Sequence, residues 1–230
     1  MKGLFIAGTD TDAGKTVVSC ALLVKFAQQG RPVQGMKPVA SGCNRTPHGL
    51  RNEDAEMLSR YSSEALPYST VNPYAFEPAI APHLAAEMAG TDIELDVIED
   101  AYHKCARSGL VIVEGVGGWQ VPLNQSETTA DMAIRLQLPV VLVVGLRLGC
   151  INHALLTYES VKHSGLVCAG WVANKISPEM ACVDHNIEAI DERLDAPLLG
   201  VIPCLKDIKA GQASGYLRLD LLAGQQDMGP

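Results

Sequence analysis

The sequence predicts an α/β fold in which helices cover both faces of a mostly parallel central sheet, giving a three-layer sandwich. Short apolar runs of strand length alternate along the chain with longer segments of helical pattern, which is the order of elements that parallel sheets require. The composition, with 47% hydrophobic and 19% charged residues, is that of a globular protein, and 230 residues are enough for one full-sized core. We therefore expect residues 1–230 to form a single domain.

A glycine-rich loop joins the first predicted strand to the first predicted helix. Residues 4–7 are short and apolar, residues 8–16 read Gly-Thr-Asp-Thr-Asp-Ala-Gly-Lys-Thr, and a helical segment follows to about residue 30. An ordinary glycine-rich turn would explain the glycines but not the Gly-Lys-Thr at the start of the helix. The context of strand, loop and helix therefore predicts a phosphate-binding loop and a P-loop NTPase-like sandwich.

The residues of this loop suit a nucleotide. Backbone N–H groups and the helix N-terminus face phosphate oxygens, Lys15 can reach the β and γ phosphates, and the Thr16 hydroxyl can ligate Mg²⁺. Five residues separate Gly8 from Gly14, one more than in the usual pattern, so we expect a slightly wider loop.

The second predicted strand covers residues 32–40 and stops at Ser41. Lys37 lies near its carboxyl end, and open α/β sheets bind their ligands in the crevice outside the carboxyl ends of the strands. We expect Lys37 and Ser41 to face the same region as the phosphate loop. A solvated lysine on an edge strand is the alternative.

The next segments give weaker signals. We predict a loop over residues 43–51, a helix that begins at Asn52, and an irregular stretch with short helical pieces over residues 62–90. Asp54, in the first turn of the helix, either complements the helix dipole or binds a metal ion.

A carboxylate stands at the tip of the next strand. A helix over residues 95–107 precedes an apolar strand, residues 110–115, that contains Glu114. In a phosphate-loop protein this position commonly holds Mg²⁺ or its water shell. Gly117 and its neighbouring glycines indicate backbone close to a ligand, which favours function over an ordinary strand end.

A second helix N-terminus is predicted on the same side of the sheet. A helix over residues 128–136 and a fully apolar strand over residues 139–145 lead to Gly149, where a helix opens and runs to about residue 164. Its free N–H groups could bind an anionic group such as a carboxylate. Asn152 and His153 could equally be helix-start residues without a ligand.

The carboxyl-terminal third continues the alternation of strands and helices. A strand over residues 166–173 ends at Asn174 and Lys175, and an amide at that position could read a base edge through its donor and acceptor. The remaining elements are a helix over residues 178–194, a strand over residues 197–202 that Pro203 ends, and a terminal helix over residues 216–222.

Charge and cysteine content exclude several classes of protein. The net charge of −8 and the pI near 5.2 disfavour nucleic-acid binding, which needs clustered basic residues. The seven cysteines form neither a CxxC pair nor a Cys/His cluster, so neither zinc nor a disulfide framework is expected. We find no leader segment and no apolar run of membrane-spanning length, and expect a cytoplasmic protein without membrane contact.

Four stretches together resemble the dethiobiotin synthetase family: residues 8–16, Lys-Pro-Val-Ala-Ser-Gly at 37–42, Glu-Gly-Val-Gly-Gly-Trp at 114–119, and Leu-Gly-Cys-Ile-Asn-His at 148–153. The resemblance extends from the first strand to about residue 222, and the five-residue spacing in the loop is similar to the family's variant phosphate loop. It implies ATP- and Mg²⁺-dependent closure of a ureido ring from 7,8-diaminononanoate (diaminopelargonic acid) and CO₂. The products are dethiobiotin, ADP and phosphate, formed through a carbamate and a carbamic-phosphoric anhydride.

The resemblance also implies residue roles. The residues implied to be catalytic are Lys15, Lys37, Ser41 and Thr11. Those implied to bind ATP are Asp12, Ala13, Gly14, Lys15, Thr16, Val17, Glu114, Gly117, Asn174, Lys175 and Pro203. Mg²⁺ would be held by Thr16, Asp54 and Glu114. The substrate carboxylate would lie at Gly149, Cys150, Ile151 and Asn152, contributed by the other subunit of a homodimer.

Three other classes of phosphate-loop protein compete with this interpretation. A ParA/MinD-like switch ATPase would carry an additional lysine early in the loop, where this chain has Thr9, Asp10 and Thr11. An amidotransferase-type ligase would bring a glutaminase domain with a nucleophilic cysteine, for which the chain has little room. A small-molecule kinase would need no CO₂, so bicarbonate dependence separates it from the favoured function.

Overall fold

In the computed structural model, residues 2–204 and 210–223 are described. The strands, in chain order, are β1 (Gly3–Gly8), β2 (Val33–Met36), β3 (Val39–Ala40), β4 (Asn44–Thr46), β5 (Gly49–Arg51), β6 (Tyr74–Ala75), β7 (Leu110–Glu114), β8 (Val140–Leu146), β9 (Cys168–Lys175) and β10 (Leu198–Ile202). Six of them form one sheet in the order β10-β9-β8-β1-β7-β2, with every neighbouring pair parallel. The predicted α/β fold with a parallel central sheet is confirmed.

The helices alternate with these strands. They are α1 (Lys15–Gln28), α2 (Glu53–Tyr61), α3 (Tyr68–Val71), α4 (Pro82–Met88), α5 (Leu95–Ala106), α6 (Thr129–Leu136), α7 (Cys150–His163), α8 (Val183–Asp191) and α9 (Ala210–Ser214), followed by a 3₁₀ turn, Leu219–Leu221. Two predicted helix starts have clear caps. The Asn52 side chain accepts the Ala55 N–H at 3.2 Å, and Thr128 forms a capping box with Asp131.

Alternate residues of each strand pack against helices on opposite faces of the sheet. Leu4 and Ile6 of β1 pack with α1 and α9, whereas Phe5 packs with α5 and α6. Leu142 and Val144 of β8 pack with α7 and α8. Because both faces are covered, β1 and β8 are apolar and buried along their whole length, as the sequence predicts.

The strand predicted over residues 32–40 is wrong as a single element, because it breaks at Pro38. Val33–Met36 belongs to the central sheet, whereas Val39–Ala40 pairs with Tyr74–Ala75 in a separate two-stranded sheet. Proline has no N–H to donate to the next strand. The backbone at Lys37 instead bonds to the 67–75 segment, with its N–H on the Val71 carbonyl at 2.9 Å. The break leaves Lys37 at the tip of β2.

The loop predicted over residues 43–51 is an antiparallel hairpin of β4 and β5. Its strands are short and largely exposed, so no hydrophobic alternation marks them in the sequence. Gly49 closes the turn with a φ of 93°. The irregular stretch over residues 62–90 does contain short helices, as predicted, but the two-residue strand β6 within it was not predicted.

Three predicted boundaries differ toward the carboxyl terminus. β9 begins at Cys168 rather than residue 166 and includes Asn174 and Lys175. The helix predicted over residues 178–194 begins only at Val183, and the preceding Cys182 has a φ of 53°, which ends any continuous helix there. The helix predicted over residues 216–222 is a 3₁₀ turn after an extended stretch, because the Arg218 N–H bonds to the Leu199 carbonyl of β10 at 2.8 Å.

The predictions about membrane-spanning segments and about disulfide bonds can be compared with the described residues. None of their helices combines the length and apolarity needed to cross a membrane. All seven cysteines are free thiols, and four of them are buried: Cys20, Cys43, Cys105 and Cys150.

Candidate active site

The phosphate loop leaves β1 at the centre of the sheet and packs directly on β9. Gly14 has a φ of 94°, and Asp12 also lies in the left-handed region, at 59°. The Asn174 side chain donates to the Ala13 carbonyl at 2.9 Å, and a Cβ on Gly14 would come within 1.9 Å of Asn174 Nδ2. Gly14 is therefore required both by backbone conformation and by the close approach of β9.

Lys15 is buried at the start of α1 and reaches across the loop. Its Nζ donates to the Asp10 carbonyl at 3.1 Å and to the Gly117 carbonyl at 2.6 Å. This second bond joins the phosphate loop to the loop that follows β7. The predicted placement of Gly117 near the phosphate loop agrees with this contact.

A polar cluster, in which Lys37 and Glu114 are buried and Thr16 and Asp54 partly exposed, lies beside Lys15. Lys37 Nζ donates to Glu114 Oε1 at 2.6 Å and to Asp54 Oδ2 at 3.0 Å, and the Thr16 hydroxyl donates to Glu114 Oε1 at 2.9 Å. The tips of β2 and β7, which are adjacent strands, bring Lys37 and Glu114 together. Side chains far apart in sequence thus converge at the carboxyl edge of the sheet, as predicted.

The burial of these charges shifts their pKa values. Burial, together with the charge of Lys37, lowers the pKa of Lys15 to about 8. Burial also disfavours the charge of Lys37, but the carboxylates of Glu114 and Asp54 outweigh it and raise the pKa of Lys37. For Asp54, burial opposes ionisation and the Lys37 ammonium prevails, so the pKa of Asp54 is lowered. Lys37 is therefore cationic and Asp54 anionic at neutral pH, whereas Lys15 titrates near pH 8.

These side chains line a cavity of about 800 Å³. The predicted site residues on its wall are Thr11, Asp12, Gly14, Lys15, Thr16, Val17, Lys37, Ser41, Asp54, Glu114 and Gly117. The hydroxyl of Ser41 is buried and makes no hydrogen bond within the described residues, which is uncommon for a buried polar group.

Part of the cavity wall was not predicted. Its polar member is Asn52, and its apolar members are Ala40, Ala79, Ile80, Ala81, Pro82, Val116 and Val121. The 79–82 segment follows β6 in the stretch that gave the weakest sequence signal. Apolar side chains carry no chemical signature, so position in the fold alone could have revealed them.

Other predicted site residues lie outside this cavity wall. Asn174 and Lys175 end β9, where Asn174 holds the phosphate loop and Lys175 Nζ lies 3.6 Å from Asp184 Oδ1. Pro203 follows the neighbouring strand β10 and is partly exposed. Ala13, within the phosphate loop, is buried. Asn174, Lys175 and Pro203 form a second group, beside the phosphate loop on the β9 side.

The predicted carboxylate site is the start of α7, also outside the cavity wall. Gly149 has a φ of 93° and precedes the helix, the Cys150 N–H bonds to the Arg147 carbonyl, and Asn152 is exposed, whereas Ile151 is partly buried. Leu148, at the turn, is 99% exposed.

The donor atoms in the cavity suit Mg²⁺. The ion prefers oxygen ligands and is commonly held by one or two carboxylates together with substrate phosphates. Thr16, Asp54 and Glu114 supply a hydroxyl and two carboxylates, and Glu114 Oε2 is buried without a hydrogen-bond partner among the described residues. Among residues 2–204 and 210–223, no group of three or more His, Cys, Asp or Glu side chains is placed to hold a metal ion.

Comparison with known proteins identifies closely similar sequences. A family model described as an AAA domain matches residues 2–212. The ATP-dependent dethiobiotin synthetase of Cellvibrio japonicus is 49% identical over 219 residues, which cover 95% of this chain and 96% of that protein. The ATP-dependent dethiobiotin synthetase of Nitrosospira multiformis is 50% identical over 217 residues, 94% of each chain.

Solved structures share the fold at low sequence identity. The septum site-determining protein MinD of Pyrococcus horikoshii, complexed with Mg-ADP, has a TM-score of 0.55 at 16% identity, with 96% of this chain and 89% of that chain covered. The MinC:MinD complex of Aquifex aeolicus has a TM-score of 0.56 at 16% identity, with 94% and 87% covered. These likenesses confirm the predicted P-loop NTPase-like fold and no more than the fold.

Proposed function

The chain belongs to the family of ATP-dependent dethiobiotin synthetases, which are ligases, and from that premise we propose its reaction. The protein closes the ureido ring of dethiobiotin from 7,8-diaminononanoate and CO₂, while ATP is split into ADP and phosphate. The observation that carries this proposal is the convergence of two buried lysine side chains, Lys15 and Lys37, with Glu114 in one cavity beside the phosphate loop.

The reaction proceeds in three steps, each of which forms or moves negative charge. A neutral substrate amine attacks the carbon of CO₂ and loses a proton, giving a carbamate. A carbamate oxygen attacks the γ-phosphorus of ATP, and ADP leaves. The second amine then attacks the carbamate carbon, phosphate leaves with the bonding electrons, and loss of the amine proton completes the ring.

The catalytic side chains stabilise this charge. Lys37, kept cationic by its carboxylate partners, faces the carbamate and the transferring phosphoryl group, and Lys15 faces the β and γ phosphates. The Ser41 hydroxyl, which has no partner within the described residues, donates to the carbamate, and Thr11 contacts the substrate. Preorganised cations in a buried cavity supply most of the catalysis because no solvent has to reorganise around them.

Thr16, Asp54 and Glu114 would hold Mg²⁺, which when bound would supply positive charge to neutralise phosphate oxygens. The Glu114 oxygen, which has no partner among the described residues, and the hard oxygen donors around it support this assignment.

Two groups of residues bind the nucleotide. The phosphates lie against Asp12, Ala13, Gly14, Lys15, Thr16, Val17, Glu114 and Gly117, and the adenine side of ATP lies against Asn174, Lys175 and Pro203. The contact of Asn174 with the Ala13 carbonyl supports this division, because it places the end of β9 next to the phosphate loop.

We further propose a homodimer in which Gly149, Cys150, Ile151 and Asn152 of one subunit bind the carboxylate of a diamine whose amines react in the other. Leu148, just before α7, is 99% exposed, and Leu156, within α7, is 64% exposed. Such exposed apolar side chains suit burial against a second copy. The N-terminus of a 14-residue helix favours an anion.

The protein is proposed to act as a single domain in the cytoplasm, without nucleic-acid or membrane partners. A ParA/MinD-like switch function has only the shared fold in its favour, and Thr9, Asp10 and Thr11 leave no additional lysine early in the loop. The test of the proposal is conversion of the diamine into dethiobiotin by the purified chain, with the carbon of labelled bicarbonate appearing in the product. Product formed without that carbon would overturn it.

A further inference from the structure

Asp10, in the phosphate loop, and Arg147, just beyond β8, have no part in the scheme above. We propose that they form a positioning pair, which fixes the phosphate loop relative to the start of α7 and so places Lys15 and Thr11 for phosphoryl transfer. The kinetic part of this inference rests on the proposed function.

Asp10 makes contacts in three directions. Its Oδ1 accepts the Thr11 N–H at 2.9 Å, its Oδ2 accepts a hydrogen bond from Arg147 Nη2, and its backbone carbonyl accepts Lys15 Nζ at 3.1 Å. His153 Nδ1 of α7 lies 3.9 Å from the same Oδ2. One residue thus joins the proposed catalytic lysine and threonine to the end of β8 and the first turn of α7.

A second set of hydrogen bonds connects the phosphate loop, the loop after β7 and α7. Lys15 Nζ also bonds to the Gly117 carbonyl, and Gln120, three residues further on, donates to Ser160 of α7 at 2.8 Å. The loop after β7 is therefore bonded to α7, the phosphate loop is bonded to Arg147 just before α7, and the two loops are bonded to one another through Lys15. Arg147 supplies the attachment on the phosphate-loop side.

The extra residue in the phosphate loop is a reason why this attachment is needed. With one residue more between its glycines than the usual pattern, the loop has more backbone freedom to restrict, and Asp12 already stands in the left-handed region. The planar guanidinium of Arg147 forms directional hydrogen bonds with carboxylates, so its contact with Asp10 restricts the conformations of the loop.

An ordinary surface ion pair is the alternative, and it predicts different behaviour. The side chains of Arg147 and Asp10 are 41% and 40% exposed, so the pair contributes little to stability. A positioning pair alters catalysis and nucleotide affinity while the melting temperature hardly moves. An ion pair without a positioning role would leave catalysis, nucleotide affinity and the melting temperature unchanged when it is removed.

The test compares Arg147→Met, Asp10→Asn and the double variant with wild type. The matched control is Arg135→Met, which removes an ion-paired arginine of similar exposure (45%) that bonds Glu99 and Asp96 on α5. We measure kcat, the KM for the diamine, the Kd for a non-hydrolysable ATP analogue in the presence of Mg²⁺, and Tm.

Each single variant is expected to lower kcat about tenfold and raise the Kd for the analogue about tenfold, since small displacements of catalytic groups are costly. The KM for the diamine is expected to rise as well, because Thr11 contacts the substrate, whereas Tm stays within about 3 °C because the pair is exposed. The double variant is no worse than either single variant, because both remove one contact. Arg147→Lys keeps the charge and recovers most of kcat, and Arg135→Met behaves as wild type.

Two results overturn the inference: analogue affinity and kcat both unchanged in Arg147→Met, or losses that add fully in the double variant. If wild type makes no dethiobiotin, the proposed function fails, and the analogue Kd alone decides the positioning role, with a rise supporting it and no change refuting it.

Discussion

Lys37 Nζ lies 2.6 Å from Glu114 Oε1, and the two side chains stand at the tips of adjacent strands, both almost fully excluded from solvent. Asp54 adds a second carboxylate, 3.0 Å from the same ammonium, at the start of α2. Removing the charge of Glu114 leaves the buried Lys37 ammonium with Asp54, which is 38% exposed, as its remaining carboxylate partner. Substitution of Lys37 or Glu114 is therefore expected to change both the stability of the protein and its activity.

The first prediction concerns Glu114→Gln, which keeps the shape of the side chain and removes its charge. We expect the Mg²⁺ concentration for half-maximal activity to rise at least about tenfold and the free energy of unfolding to fall by about 3 kcal/mol. Activity titrated with Mg²⁺ and urea denaturation measure the two effects. Glu99→Gln, at an exposed ion pair, is the control and should change neither. An unaltered Mg²⁺ titration in Glu114→Gln would remove Glu114 from the metal site.

The second prediction concerns proton uptake on nucleotide binding. The pKa of Lys15, lowered to about 8 by burial and by Lys37, is raised again when phosphate charge arrives. At pH 8 about half of the free protein carries a neutral Lys15, so binding takes up about half a proton, and affinity declines as the pH rises above 8. Calorimetry in two buffers of different ionisation enthalpy measures the uptake. Lys15→Met should retain the fold, abolish turnover and lose this proton, and an identical uptake in the variant would contradict the assignment.

The third prediction separates two effects of a glycine. Gly14→Ala and Gly30→Ala both place a side chain at positive φ, but the new Cβ meets Asn174 Nδ2 at 1.9 Å in the first variant and nothing within 4 Å in the second. Gly30→Ala should therefore lower the free energy of unfolding by about 1 kcal/mol and leave nucleotide affinity intact. Gly14→Ala should additionally weaken nucleotide binding strongly, because the Asn174 side chain must move and give up its hydrogen bond to the Ala13 carbonyl, or the loop must shift away from β9. Equal nucleotide affinities, measured by titration, would show that the contact with Asn174 does not shape the site.

The fourth prediction tests whether active sites are shared between subunits. Lys15→Met disables the phosphate loop, and Asn152→Asp places a negative charge at the proposed carboxylate site. Each variant alone should be inactive, but a mixture allowed to exchange subunits should recover about one quarter of wild-type activity, since half the dimers are mixed and each mixed dimer has one intact site. A mixture without activity, although its subunits exchange, would argue for sites built from one chain.

Sequence alone predicted the site residues that lie at the ends of strands. The phosphate loop, Lys37 and Glu114 each stand where a strand ends, and the parallel sheet brings strand ends together without further information. The break at Pro38, the strand β6 and its pairing with β3 were missed because they are set by tertiary contacts, such as the Lys37 N–H on the Val71 carbonyl. The apolar wall at Ala79 to Pro82 was missed because those residues have no chemical signature.

Asn174 illustrates the limit differently. Its position at the end of β9 was predicted, but its contact with Ala13 joins residues from opposite ends of the chain, and only the folded sheet reveals that it supports the phosphate loop.

The most direct test of the central proposal is phosphate release by the purified protein with Mg-ATP and 7,8-diaminononanoate, with and without bicarbonate. Ring closure through a phosphorylated carbamate predicts that release requires both the diamine and bicarbonate, and that Lys37→Met abolishes it. Release with ATP alone, unaffected by the diamine, would contradict the proposal and favour a switch ATPase. Release that needs the diamine but not bicarbonate would also contradict it, whereas ADP formed with the diamine but without free phosphate would indicate a kinase.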